Sequence, residues 1–128
     1  MKIAVSIARM LLGLMFVTFG LNGFLHFIPQ PPPPAGLAGQ YLGALAASHY
    51  LMPVFAIQFV AGVLFLINRY VPLALTLIAP VIVNILLFHA LMEPGGIGPG
   101  LVVTVFWLIV AYQYRSAFAG ILKQRPAV

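Results

Sequence analysis

Between Leu73 and Met92 the chain runs for a helix length without a charged residue, yet the run contains Pro80, Asn84 and His89 and stops at Glu93, the only acid in the sequence. About 20 residues rising 1.5 Å each span the roughly 30 Å hydrocarbon core of a bilayer, so the run has the dimensions of a transmembrane helix. Polar side chains at that depth are costly against lipid, and Asn84 and His89 are therefore expected to face other helices. The rest of the chain reads as three similar runs gathered round this one. Composition agrees: 63% of the 128 residues are hydrophobic and 5% are charged, with a mean hydropathy of +1.13. That leaves too few polar residues to cover a soluble globule. The expected fold is all-α, a transmembrane four-helix bundle forming a single domain over residues 1–128. Its spans lie at about 6–28, 52–67, 72–92 and 100–115, with a short outer amphipathic segment between spans one and two.

The charges are few enough to orient the chain. Six Lys and Arg face one acid. Lys2 and Arg9 lie at the start of span one, Arg69 between spans two and three, and Arg115, Lys123 and Arg125 after span four. An alternating topology puts all of them on one side, and the positive-inside rule makes that side, with both termini, cytoplasmic. The basic residues form no patch interleaved with aromatics, which speaks against nucleic acid as a partner. The first run resembles the start of a signal peptide. It is too long for such an h-region, no small-residue cleavage site follows, and a retained helix is expected.

Between spans one and two, Pro29 and Pro31 to Pro34 favour a stiff polyproline strut. The stretch after it puts Leu37, Tyr41, Leu42 and Leu45 on one helical face, which suits a short helix on the membrane or capping the bundle. Pro53 to Arg69 and Pro99 to Arg115 share a spacing, and NGFLH at Asn22 echoes NILLFH at Asn84, a faint internal repeat.

Chemistry has few candidates. With no cysteine there is no thiol pair, disulfide or thiolate metal ligand. No nucleophile triad, phosphate loop or paired carboxylates are present, which excludes hydrolysis and phosphoryl transfer. Helical rise from the basic ends puts Asn22 and Asn84 at about 20–22 Å, His26 and His89 at about 26–30 Å, and Gln58 and Thr104 at about 16 Å. Asn22, His26, Gln58, Asn84 and His89 are therefore the candidate ligand-binding residues, a polar column from the midplane outward. No catalytic residue and no metal ligand is assigned. The amides suit a carbonyl-bearing ligand such as a quinone, or else act as interhelical glue. The histidines suit a metal, a bis-His haem or proton transfer, or else bond to neighbouring helices at the outer interface. Their spacing with Glu93 matches no metal motif, and a metal or haem is not the expected cofactor. Asn84 and His89, five apart, are about 140° apart round a helix, whereas His89 and Glu93 share a face. Ser6, Gly13 and Gly20 make a small-residue stripe suited to close helix contact. Arg9 is expected to snorkel to headgroups, and Trp107, Tyr70, Tyr112 and Tyr114 to act as interface anchors and packing.

FGLNGFLHFIP, LGALAASHYLMP, INRYVPLAL and APVIVNILLFH together resemble the DoxX family of small four-span bacterial membrane proteins, over nearly the whole chain. The resemblance implies a bundle in the bacterial cytoplasmic (inner) membrane. It also implies an accessory role linked to quinone-dependent respiratory or oxidative-stress metabolism, without an activity of its own. Where many relatives carry Glu within span two, this chain has Gln58 in AIQFVAG, which can bond but cannot titrate. A lipid-soluble ligand, a membrane-protein partner or a second copy are the partners these readings bring, besides the bilayer. The alternative is a membrane assembly or interaction protein, a role held by distant animal relatives, whose polar residues only hold its helices together.

Overall fold

A computed structural model describes residues 2–128. It has five α-helices: α1 (Lys2–Leu25), α2 (Gly36–Ala47), α3 (Leu51–Ile67), α4 (Val71–Leu91) and α5 (Ile97–Gln113). Short 3-10 turns at Pro94–Gly96 and Arg115–Phe118 complete it, and there is no strand among the described residues. The stretches Lys2–Leu25, Val71–Leu91 and Pro94–Gln113 are each long and apolar enough to cross a membrane. The second expected span is shorter than that. α3 has 17 residues and joins α2 across an 85° bend, so a fourth crossing exists only if the bent pair is counted as one. Outward faces are apolar on every long helix, with Leu14, Val60, Leu87 and Leu108 among the exposed side chains. These features are compatible with a membrane protein.

Where the helices stop follows from left-handed residues and prolines. α1 ends three residues before the expected boundary because His26 takes φ 53°. Its N–H bonds the Asn22 carbonyl at 2.8 Å, and the Asn22 side chain accepts the Ile28 N–H at 2.8 Å. α2 ends in a Schellman turn with His49 (φ 62°) as the left-handed residue: Tyr50 N–H bonds Leu45 O and His49 N–H bonds Ala46 O. α3 ends the same way at Asn68 (φ 56°), through Arg69 N–H to Leu64 O and Asn68 N–H to Phe65 O. Pro72 then occupies the first turn of α4, where its missing donor costs nothing.

The most extensive contact is between α1 and α3; α3 also packs on α4, α4 on α5, and α5 back on α1. Leu12, Phe16, Ala61, Phe65, Ala74, Leu75, Ile78 and Val110 fill the space between them. Close approach dominates the α1–α3 contact. A Cβ at Gly13 would lie 2.9 Å from Gly62 O, one at Gly20 would lie 2.8 Å from Phe59 N, and one at Gly62 would lie 2.6 Å from Val17 N. Gly13 and Gly20 thus do what their spacing predicts, while Ser6, nearer the helix start, stays exposed. In lipid, where apolar burial gains little, contact of this kind is what holds helices together.

Arg9 departs from expectation. Instead of reaching outward, its guanidinium donates to the Phe65 carbonyl in the last turn of α3, where a cation also meets the negative end of the helix dipole. Trp107 takes the packing role of the two expected for it, against the buried core. Its Nε1–H donates to Leu75 O at 3.0 Å and ties α5 to α4.

Candidate functional site

α2 folds over the end of α4, where the Tyr41 ring stacks on Phe88 with centroids 5.5 Å apart. The inward face of α2 is Ala38, Tyr41, Leu42 and Leu45; Leu37, expected on that face, is 68% exposed. Beneath this roof, between α3 and α4, lies a cavity of about 350 Å³ that is open on one side. Tyr41, Leu42 and Leu45 line it from α2, Val54, Phe55, Ile57 and Gln58 from α3, and Leu77, Pro80, Val81, Asn84, Ile85, Phe88 and His89 from α4. An apolar cleft of this size with a few polar groups turned into it is the usual form of a small-molecule site.

Of the five candidate residues, Gln58, Asn84 and His89 meet at this cavity. Asn22 and His26 do not line it. Asn22 is buried, and its amide oxygen is used by the Ile28 N–H in the turn after α1. His26 is exposed in that same turn. A single column joining Asn22 and His26 to the other three therefore does not form.

Gln58 is the most telling of the three. It is 8% exposed and takes part in no side-chain hydrogen bond among the described residues. Among the described residues, no fully enclosed side-chain nitrogen or oxygen lacks a partner. Its amide consequently borders the cavity, with hydrogen-bonding capacity unused. A Cβ at Gly20 would lie 3.1 Å from Gln58 Cβ, so α1 backs the residue from behind.

Asn84 sits on the rim and is exposed; its Nδ2 donates to Pro80 O at 2.9 Å, one turn back in α4. That leaves its Oδ1 and one N–H free. His89 is half-buried, and its Nδ1–H donates to the Glu93 backbone carbonyl at 3.0 Å, not to the carboxylate. Gly96 closes on the same edge of the ring, since a Cβ there would lie 2.7 Å from Cε1 and 3.0 Å from Nδ1. The three α4 positions reach one site because the cavity takes in a wide stripe of the helix, from Pro80 and Asn84 on one flank to His89 on the other. Pro80 contributes by leaving the Thr76 carbonyl without its usual N–H partner.

Tyr41, Phe55 and Phe88 escaped the sequence reading. The spacing puts Tyr41 and its α2 neighbours on one face, but the 85° bend between α2 and α3 follows His49, a residue whose left-handed conformation no glycine announces. No group of three or more His, Cys, Asp or Glu able to hold a metal occurs among the described residues. A second, shallower groove on the other flank of α4 is lined by Thr76, Ala79, Pro80, Val83, Asn84, Trp107 and Phe118. No protein-family model, curated protein or solved structure matches the chain.

Proposed function

We propose that this chain is a four-span protein of the bacterial cytoplasmic membrane, of the DoxX type. In this reading it acts as an accessory or subunit protein that holds a lipid-soluble, quinone-type molecule in the cavity beneath α2. The observation that carries the reading is Gln58: a nearly buried amide in an apolar span, without a protein partner, facing a cleft of ligand size. An amide so placed without a partner costs a few kcal/mol in an apolar environment, a cost that a carbonyl- or hydroxyl-bearing ligand removes. The charge distribution supports a cytoplasmic position for both termini, since Arg9, Arg69 and Arg115 all belong to the end of the helices opposite Glu93.

The test is equilibrium binding of a short-chain ubiquinone to the detergent-purified protein. Wild type is expected to bind at micromolar concentration, Gln58→Leu about tenfold more weakly, and Asn22→Leu like wild type.

A second reading rests on a different observation. Thr76, Asn84 and Thr104 each donate to the carbonyl four residues back in their own helix, and Arg9 and Trp107 tie helices together. Side chains occupied in this way suit an assembly or interaction protein whose polar residues serve only its own architecture. Absence of quinone binding at micromolar concentration, with the fold intact, decides for that reading.

A further inference from the structure

The polar groups at the cavity differ in what they can offer a ligand, and the difference selects a redox form. Because His89 Nδ1 bonds a backbone carbonyl, it must carry a proton, so the ring in its neutral form presents Nε2 as an acceptor. Glu93 and Gly96 crowd the Nδ1–Cε1 edge, Nε2 lies farther off at 3.8 Å from a Cβ at Gly96, and His89 lines the cavity. Nε2 has no protein partner among the described residues, and no fully enclosed side-chain nitrogen lacks one, so Nε2 is accessible. At Asn84 the bond to Pro80 O consumes one N–H of the amide, and the other N–H and the acceptor Oδ1 remain free. Gln58 offers both a donor and an acceptor.

The asymmetry lies at His89. Gln58 and Asn84 can each donate or accept, whereas His89 offers only the Nε2 acceptor, which a quinone, having only acceptor oxygens, leaves unpaired. A ring bearing hydroxyl groups satisfies it, and the apolar walls with the stacked Tyr41 and Phe88 suit a flat ring.

Resting on the reading of the cavity as a quinone-type site, we infer that it prefers the reduced, hydroxyl-bearing form: a quinol or a similar lipid-soluble phenol. His89 Nε2 accepts from one hydroxyl.

The test compares a short-chain ubiquinone, the corresponding ubiquinol kept reduced under anaerobic conditions, and the dimethyl ether of that quinol, binding to the purified full chain. Reductant does not perturb the protein, which has no cysteine. The quinol is expected to bind about tenfold more tightly than the quinone or the ether, the ordinary worth of one well-made hydrogen bond in a buried site. His89→Phe should abolish that preference, and His89→Gln, which restores an acceptor, should recover part of it. Equal binding of quinone and quinol, or a preference untouched by His89→Phe, overturns the inference and leaves the cavity reading standing. Binding of none of the three overturns both. If His89→Phe fails to fold, the quinol-to-ether ratio on wild type decides alone, because the ether differs from the quinol in lacking the donors.

Discussion

Adding one methyl group to Gly62 should loosen the whole α1–α3 contact. Its Cβ would lie 2.6 Å from Val17 N, 2.8 Å from Val17 Cγ2 and 2.9 Å from Gly13 O, whereas comfortable contacts to carbon lie at about 3.5–4.0 Å. The shortfall is about 1 Å, and two of the three opposing atoms are backbone, which no rotamer change can move. The helices must separate along their length, taking Leu12, Phe16 and Phe65 with them. Overpacking of this kind costs typically about 1–3 kcal/mol, and alanine returns about 1 kcal/mol in helix propensity. At mid-range the net expectation is a loss of about 1 kcal/mol, or roughly 3–6 °C in Tm for a chain of this size. Gly43→Ala is the internal control. It lies in α2 with nothing within 4 Å of its Cβ and should be neutral or slightly stabilising. Thermal unfolding in detergent, followed by circular dichroism, reads both. If Gly62→Ala melts with or above wild type, the close approach of α1 and α3 is wrong.

Other consequences follow from single contacts. Arg9→Met should lower stability by about 1–2 kcal/mol, because the Phe65 carbonyl loses a charged donor at a helix C-terminus; a variant as stable as wild type would place Arg9 in headgroups after all. Asn22→Leu should destabilise by about 1–2 kcal/mol through the Ile28 N–H it leaves unpaired, and a loss of ligand affinity without loss of stability would contradict the geometry. Pro80→Ala should raise thermal stability, as an interior proline costs a helix about 3 kcal/mol, yet weaken ligand binding because Pro80 shapes the cavity wall; unchanged binding would show that the wall does not depend on it. Reporter fusions in the Asn68–Tyr70 turn and after Val128 should both report the cytoplasm, and an outward reporter at either point removes the four-span topology.

The helices were legible because apolar run length is a strong signal, and α4 lies within a residue of its expected bounds. Gly13 and Gly20 were legible for a similar reason: small residues at helical spacing mark where backbones can meet. Asn22 shows where such reasoning stops. Rise per residue gave its depth, nearly the same as that of Asn84, but depth carries no information about rotation, and Asn22 turned out to hold the corner after α1. His26, a candidate ligand residue, is a left-handed turn residue, as is His49, a role usually given to glycine or asparagine and so hidden in the sequence. Tyr41 reached the site only through the fold of α2 onto α4. Gln58 lines the cavity with Asn84 and His89, yet its lack of a partner could be seen only once every neighbour was in position.

Photolabelling addresses the central claim most directly. An azido-substituted short-chain quinone, activated in the presence of the purified chain and followed by peptide mapping, reports which helices touch the headgroup. The cavity reading predicts label on Tyr41–Leu45 of α2, Val54–Gln58 of α3 and Val81–His89 of α4, displaced by excess unlabelled ligand. Label confined to α1 and α5, or label that excess ligand fails to displace, would contradict it.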